Sequence, residues 1–145
     1  MNNHDTLELH ELSADDASLR QLLVQGVRAY NTSIAGEAQA QALTVIAKDA
    51  AGEVVAGVAG RTIYQHFLIE VVWVAAAYRR TGLGQRLMQR AEQIARQRQC
   101  VAAQVDTLSF QGPAFYASLG FEIVGEIDNF PAGHKRYFLL KKYQN

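Results

Sequence analysis

The sequence contains very little cysteine and proline. Among 145 residues there are two prolines and one cysteine, Cys100. A single cysteine excludes an internal disulfide and a cysteine-rich zinc site, so Cys100 is expected to pack as a small hydrophobic residue. His4, His10 and His66 do not have the spacing of metal ligands. We therefore predict that the protein binds no metal.

The chain also lacks net charge and long apolar runs. Lysine plus arginine and aspartate plus glutamate number 14 each, for a formal net charge of zero. This balance argues against general nucleic-acid binding, which normally needs a basic surplus. No apolar run is long enough to span a bilayer, and the first twelve residues do not resemble a secretory signal. We expect no nucleic-acid or membrane partner and a cytoplasmic location.

The length favours one domain, residues 1–145, that buries its own core. Alternating leucines predict a strand over residues 6–12. Ser13 then reads as the N-cap of an amphipathic helix that ends near Tyr30 and Asn31, with Asn31 as one candidate C-cap. Residues 43–47 and 54–63 predict a β-hairpin.

The middle of the chain predicts a βαβ unit. Residues 67–74, "FLIEVVWV", are almost continuously apolar, as in a central strand that is covered on both faces. A glycine-containing turn follows, and then a helix with one apolar face. That face comprises Leu83, Leu87, Met88, Ala91, Ile94 and Ala95. A short strand over residues 101–105 completes the unit.

The last third predicts a short helix and two strands. Pro113 suits the first position of the helix, and Gly120 is expected to end it in the left-handed conformation. Residues 121–125 and 137–140 predict the strands. The whole order of elements indicates a mixed α/β domain with a partly antiparallel sheet.

The turn "YRRTGLGQRL" (78–87) could bind an anion. A dinucleotide-binding turn would need a third glycine where Leu87 stands, and the Gly-Lys-Ser/Thr of a nucleotide-binding P-loop is missing. A helix N-terminus still offers unpaired N–H groups and partial positive charge, and Gly82 and Gly84 let a phosphate approach them. Alternatively, the glycines only permit a tight strand-to-helix turn.

Two segments indicate which anion the turn would bind. "RRTGLG" (79–84) fits the pattern R/Q-x-x-G-x-G/A, and "GPAFYASLGFEIVGE" (112–126) follows at the expected distance. Together they resemble the GNAT superfamily of acetyl-CoA-dependent N-acetyltransferases. The resemblance implies that family's fold: a central mixed, mostly antiparallel sheet of about six to seven strands flanked by about four helices. It also implies acetyl-CoA as co-substrate and a homodimer.

The resemblance implies which residues bind the acyl donor, acetyl-CoA. The end of the central strand would pair with the pantetheine arm, and the Val74 N–H would donate to the thioester carbonyl. The turn would hold the pyrophosphate. The implied donor-binding residues are Val72, Trp73, Val74, Arg79, Arg80, Thr81, Gly82, Leu83, Gly84, Gln85, Ser109 and Tyr116. Ser109 stands where many family members have an asparagine, so its contact is a departure from the family pattern.

The same resemblance suggests the catalytic groups. Glu70, the lone charge in "FLIEVVWV", is the first candidate base; it stands four residues before Val74, which would place both on one face of the strand. Glu70 could instead pair with an arginine or face solvent. Asp106, at the end of the next strand, is the second candidate base or else caps a loop, and water leading to a base is also possible. Tyr116 is the candidate acid for the departing thiolate, or else an aromatic packing residue.

The resemblance also assigns acceptor binding to Tyr30, Asn31, Glu70 and His134. His134 is a further candidate base, or else an exposed residue of the loop that also contains Asp128. The leading hypothesis is an enzyme that transfers the acetyl group of acetyl-CoA to a primary amine of a small molecule or peptide in a ternary complex. Two alternatives are a non-catalytic acyl-CoA-binding sensor or partner module on the same fold and a nucleotide-binding oxidoreductase. The sequence does not identify the acceptor amine or the acyl-chain preference.

Overall fold

The computed structural model describes residues 6–144, which form two compact units. One unit ends at Ala38 and the other begins at Gln39. The expectation of one domain over residues 1–145 stays a prediction. His4 lies outside the described residues.

The first unit contains helix α1, Ala17–Ala35. Its N-cap is Asp16, whose carboxylate accepts a hydrogen bond from the Leu19 N–H at 3.1 Å, so the predicted start at Ser13 is wrong by three residues. The helix also continues beyond Tyr30 and Asn31 to a C-cap at Gly36, whose φ of 79° suits glycine. Asn31 is therefore an interior helical residue and not a C-cap.

The predicted strand over residues 6–12 is not present. Residues 7–12 have no regular secondary structure, and Leu7, Leu9 and Leu12 are exposed. Alternation of apolar and polar residues produces a strand only where a neighbouring strand can pair with its backbone N–H and C=O groups. The pattern alone does not supply that neighbour.

The second unit is built on a six-stranded sheet in the order β1-β2-β3-β4-β6-β5. All neighbouring strands are antiparallel except β3 and β4. The strands are β1 Gln41–Lys48, β2 Val54–Ile63, β3 His66–Val74, β4 Ala102–Leu108, β5 Glu122–Asp128 and β6 Lys135–Lys142. The hairpin, the βαβ unit and the two final strands are confirmed.

Two α-helices belong to the second unit, α2 at Leu83–Gln97 and α3 at Pro113–Ser118. With α1 they make three α-helices among residues 6–144, one fewer than expected. A 3-10 turn at Ala76–Tyr78 precedes α2. Within residues 6–144, no helix is long and apolar enough to cross a membrane.

Helix α2 covers one face of β1, β2 and β3. Leu87, Met88, Ala91 and Ala95 are buried, and Leu83 and Ile94 pack against the same core. This confirms the apolar helical face expected from the sequence. Pro113 at the start of α3 and Gly120 after it, with φ of 96°, also confirm the predicted ends of the short helix.

Strand β3 is not covered on both faces along its whole length. Phe67 and Ile69 are buried, but Val71 and Trp73 are 56% and 50% exposed. The reason is a β-bulge: Gly60 pairs with Ile69 and Ala59 pairs with Val71, which leaves Glu70 without a partner on β2. A bulge inserts one residue and so reverses the alternation beyond it. The side chains that face the core are therefore those of Phe67 and Ile69 before the bulge and those of Val72 and Val74 after it.

Strands β3 and β4 separate after a short parallel ladder. Their pairing runs only from His66 opposite Ala102 to Leu68 opposite Gln104. Beyond it, β3 continues to Val74 and β4 continues to Leu108 without pairing with each other. A V-shaped opening between β3 and β4 results.

The bulge generates a prediction about Gly60. A Cβ atom on Gly60 would overlap the Leu68 carbonyl oxygen and lie 3.1 Å from the Ile69 Cα. We expect Gly60→Ala to lower the free energy of unfolding by roughly 2–3 kcal/mol, because backbone atoms must shift. Urea unfolding measures this.

Gly26→Ala is the matched control. Gly26 lies inside α1, and nothing beyond the helix's own backbone lies within 4 Å of the position that a Cβ would take. Alanine there should therefore stabilise the protein by about 0.5–1 kcal/mol. Equal, small effects at Gly60 and Gly26 would contradict the close approach of β2 and β3.

Candidate functional site

The opening between β3 and β4 leads into a cavity of about 960 Å³, here called the first cavity. The C-terminal halves of both strands, the turn before α2 and helix α3 form its walls. Its lining residues are Glu70, Val71, Val72, Trp73, Val74, Tyr78, Arg79, Arg80, Gly84, Val105, Asp106, Thr107, Leu108, Gln111, Gly112, Phe115, Tyr116, Phe130 and Arg136. The fold thus brings together the strand end, the glycine turn and Tyr116, which lie far apart in sequence.

The backbone of Val74 points into the opening. Val74 is opposite Ala56, and the next N–H, that of Ala75, donates to the Val55 carbonyl at 2.8 Å. In an antiparallel ladder this makes Val74 and Ala56 a non-hydrogen-bonded pair, whose N–H and C=O groups point away from each other. The Val74 N–H and C=O are therefore directed away from β2, and the same alternation applies to Val72.

The glycine turn starts α2 beside this strand end. Gly82 is the N-cap with φ of 86°, and Arg80 also has a positive φ, 61°. The first N–H groups of α2 have no acceptor within the helix. The Arg79 Nε donates to the Val74 carbonyl at 3.0 Å, which ties the turn to β3.

Three of the seven turn residues predicted to hold pyrophosphate line the first cavity: Arg79, Arg80 and Gly84. A Cβ atom on Gly84 would lie 3.1 Å from the Phe115 Cε1 and 3.7 Å from the Val74 Cγ2. A side chain at this position would need the Phe115 ring to move by a few tenths of an ångström, so glycine suits the point where α2, α3 and β3 meet. Of the others, Thr81 donates to the Tyr78 carbonyl and Leu83 packs on the core, so they shape the turn. Gly82 and Gln85 also lie outside the lining.

Tyr116 lies on α3 with its ring buried between two aromatic neighbours. Its ring makes edge contacts with Phe115 and Phe121, with centroid distances of 5.2 and 5.7 Å. Burial, and then the negative charge of Asp106, raise the pKa of Tyr116 to about 12. The hydroxyl therefore remains protonated at neutral pH. Tyr116 therefore packs against aromatic neighbours and also lines the first cavity.

Two carboxylates line the opening, one from each strand. The Glu70 Oε1 lies 3.9 Å from the Arg61 Nε, and the Asp106 Oδ2 lies 3.2 Å from the Arg136 Nη2. Both side chains are exposed. Glu70 and Val74 do not share a face of β3 as predicted, because the bulge interrupts the alternation, but both residues line the first cavity.

A second cavity of about 680 Å³ shares Glu70, Val105 and Asp106 with the first. Its other lining residues include Leu68, Gln104, Phe138 and Leu140. Strand pairing places these four side chains on one face of the sheet. The buried Phe67, Ala103 and Leu139 lie on the opposite face. Glu70 and Asp106 therefore lie where the two cavities meet.

Four predicted site residues remain, two in each unit. The Ser109 hydroxyl accepts a hydrogen bond from the Lys135 N–H at 3.0 Å, and Ser109 does not line the first cavity. The exposed His134 ring makes an edge contact with the Phe110 ring, with 4.8 Å between the centroids, and His134 does not line the first cavity either. Asp128, in the same loop, forms an ion pair with Lys135. Tyr30 and Asn31 lie in α1 of the first unit. The roles assigned to all four stay predictions.

The sequence reasoning missed Arg136. Its guanidinium carbon lies 5.2 Å from the Phe130 ring centroid and 4.7 Å from that of Phe138, and it pairs with Asp106. Residue 136 is opposite Leu108 in the β4–β6 ladder, which places it diagonally beside Asp106. Strand pairing of this kind is not visible in a single sequence. Gln111, also missed, accepts the Leu108 N–H at 2.9 Å and fixes the end of β4.

No group of three or more His, Cys, Asp or Glu side chains within residues 6–144 is arranged to hold a metal ion. Backbone amides, carboxylates, arginines and the protonated Tyr116 phenol line the first cavity, and the second cavity adds the imidazole of His66 and the carboxamide of Gln104.

Comparison with known proteins identifies the family. The family model "Acetyltransferase (GNAT) family" matches residues 7–121. The blasticidin-S acetyltransferase of Streptomyces morookaense is 37% identical over 92 residues, which are 63% of this chain and 68% of that protein.

Solved structures agree. An acetyltransferase from Bacillus cereus ATCC 14579 superposes with a TM-score of 0.83 at 26% identity, over 92% of this chain and 98% of that one. A candidate streptothricin acetyltransferase from Bacillus anthracis str. Ames, solved in complex with acetyl coenzyme A, has a TM-score of 0.62 at 21% identity, over 79% and 68% of the two chains. On the match of the family model and these likenesses, the chain belongs to the GNAT family of acetyltransferases.

Proposed function

We propose that this protein transfers the acetyl group of acetyl-CoA to a primary amine of a small molecule or peptide by direct attack in a ternary complex. The observation that carries the proposal is the opening between β3 and β4. It directs the Val72 and Val74 backbone groups into a cavity that also contains Gly84 and Tyr116.

The chain's own groups fit the acyl donor. The Val72 N–H and C=O groups can pair with the amides of the pantetheine arm as a neighbouring strand would, which leaves the Val74 N–H for the thioester. The first N–H groups of α2, with Arg79 and Arg80 at the cavity wall, suit a pyrophosphate. In a related fold the Bacillus anthracis protein holds acetyl coenzyme A, which supports the same ligand here.

Acetyl-CoA supplies a thioester whose carbonyl carbon the amine nitrogen attacks as the C–S bond breaks. The Val74 N–H would donate to the carbonyl oxygen as negative charge develops on it. The Tyr116 hydroxyl would give its proton to the sulfur that departs. Because its pKa is about 12, Tyr116 is protonated and able to donate throughout the physiological range.

The attacking amine must lose a proton, because an alkylamine with a reference pKa of about 10.4 is almost entirely protonated at pH 7. Glu70 is the proposed acceptor of that proton, directly or through water, since it has no strand partner in the bulge and lines both cavities. Asp106 is the alternative; its ion pair with Arg136, at 3.2 Å, is closer than the 3.9 Å pair of Glu70 with Arg61. His134 is not among the residues that line the first cavity, which makes it the weaker candidate.

The acceptor is proposed to be a small polar amine. Glu70 and Asp106 would attract an ammonium group to the point where the two cavities meet. The names of the Streptomyces morookaense and Bacillus anthracis relatives indicate antibiotics as acceptors of those proteins. Blasticidin S is therefore the first acceptor to assay.

The donor site is tested by thermal unfolding with acetyl-CoA. Ligand at 100 times its Kd would stabilise the wild type by about 2.7 kcal/mol, which raises the Tm by several degrees. We expect Gly84→Glu to abolish this rise, because the new side chain adds bulk against Phe115 and negative charge near the helix N-terminus.

Gln93→Glu adds the same charge to an exposed position of α2 and should keep the ligand-induced rise. Absence of any rise in the wild type with acetyl-CoA and other acyl-CoAs would contradict the proposed donor. A rise with acetyl-CoA but no transfer to any amine in a broad screen would favour the non-catalytic binding module.

The variant Tyr116→Phe tests whether Tyr116 is the general acid that protonates the departing sulfur. We expect kcat to fall by about 10²-fold or more, because the hydroxyl is lost while the ring contacts remain. The Kd for acetyl-CoA should change little. Because the pKa of Tyr116 is raised to about 12, the wild-type rate should show no loss of this acid as pH rises to about 10.

Tyr64→Phe removes the same atom from an exposed turn outside both cavities and should leave kcat unchanged. Steady-state kinetics and equilibrium binding separate the two effects. An unchanged kcat in Tyr116→Phe would remove Tyr116 as the acid.

A further inference from the structure

The two carboxylates at the opening differ in how closely an arginine holds each of them. The Asp106 Oδ2 lies 3.2 Å from the Arg136 Nη2. The Glu70 Oε1 lies 3.9 Å from the Arg61 Nε, which is beyond hydrogen-bonding distance. The Arg136 side chain is also less exposed than that of Arg61, at 31% against 49%. The negative charge of Asp106 is therefore better compensated than that of Glu70.

Two aromatic rings hold the guanidinium of Arg136 beside Asp106. Phe138 is opposite Asp106 in the β4–β6 ladder, and Arg136 stands two residues before Phe138 on β6, so the three side chains share one face of the sheet. Cation–π contacts with Phe130 and Phe138 fix the guanidinium. An exposed ion pair usually contributes little, because two mobile side chains must be ordered together. Here the guanidinium is already held, and pairing has to order only the shorter side chain of Asp106.

Asp106 otherwise has the position of a base. It lines both cavities, as Glu70 does. After burial, its negative charge is the second cause of the raised pKa of Tyr116, so it acts close to the proposed acid. Both carboxylates can thus be reached by an amine at the point where the two cavities meet.

The guanidinium changes what Asp106 can do for that amine. As a base, a carboxylate oxygen takes a proton from the ammonium group, and the amine nitrogen keeps the lone pair that attacks the thioester carbon. A positive charge fixed beside the carboxylate repels the ammonium group and weakens the attraction that would bring it there. Arg136 therefore acts against Asp106 as a base, while the more distant Arg61 leaves Glu70 available.

We propose that Arg136 is a positioning residue that decides which carboxylate takes the proton: it retains Asp106 in an ion pair and so leaves Glu70 as the base. Asp106 is then a reserve base that becomes competent when the guanidinium is removed. The inference rests on the proposed acetyl transfer with Glu70 as the proton acceptor.

Steady-state kinetics of combined variants test the inference, with the first amine that the wild type acetylates, beginning with blasticidin S. Glu70→Gln should lower kcat by about 10²-fold, because the base is lost. Adding Arg136→Met should then raise kcat about tenfold, since Asp106 is released to take the proton. Methionine keeps an unbranched stem that can pack against Phe130 and Phe138. Arg136→Gln also lacks the charge and replaces Arg136→Met if that protein does not fold.

Two further variants distinguish a released base from a general effect of charge. Adding Arg61→Met to Glu70→Gln removes the same charge from the other arginine and should give no gain in kcat. Adding Asp106→Asn to the protein with Glu70→Gln and Arg136→Met should abolish the gain. A stronger attraction of the ammonium group alone would lower KM and leave kcat unchanged.

A merely structural role of Arg136 would lower kcat further when it is replaced in the Glu70→Gln protein. That result, an unchanged kcat, or a gain that survives Asp106→Asn would overturn the inference, while turnover by the wild type would retain the proposed function. A loss on Asp106→Asn alone as large as that on Glu70→Gln would also overturn it. Absence of acetyl transfer by the wild type to blasticidin S and to every amine of a broad screen would contradict the proposed function, and this inference with it.

Discussion

The early end of the β3–β4 ladder is the constraint on which the rest of the site depends. Two parallel strands that stayed paired would use the Val72 and Val74 backbone groups inside the sheet. Because pairing stops at Leu68 and Gln104, those groups face a cavity instead. The bulge at Glu70 accompanies this divergence and leaves a carboxylate at the edge of the opening.

Two kinds of neighbour then complete the site around the opening. On one side, α2 begins at a glycine turn that Arg79 ties to the Val74 carbonyl, and Gly84 lets Phe115 pack close to the turn. On the other side, burial keeps Tyr116 protonated, and Arg136 between two aromatic rings holds Asp106. In the proposed reaction, the acyl donor and the amine would contact different elements that meet at one gap in the sheet.

Much of this was predictable from the sequence where the signal is local. The apolar face of α2, the turn at Gly82, and the ends of α3 at Pro113 and Gly120 follow from helical periodicity and capping. What could not be predicted depends on partners distant in sequence. The strand over residues 6–12 failed for lack of a pairing neighbour, the bulge at Glu70 reversed an alternation argument, and Arg136 reaches Asp106 only through the β4–β6 register.

The central claim is that the exposed edge of β3 receives the acyl donor. Its most direct measurement is a titration of the ¹⁵N-labelled protein with acetyl-CoA, observed through backbone amide chemical shifts. We expect the largest shifts at Val72, Val74 and the first turn of α2 around Gly84, with small shifts along β1 and β5. Saturable binding that leaves the Val72 and Val74 amides unperturbed would contradict it.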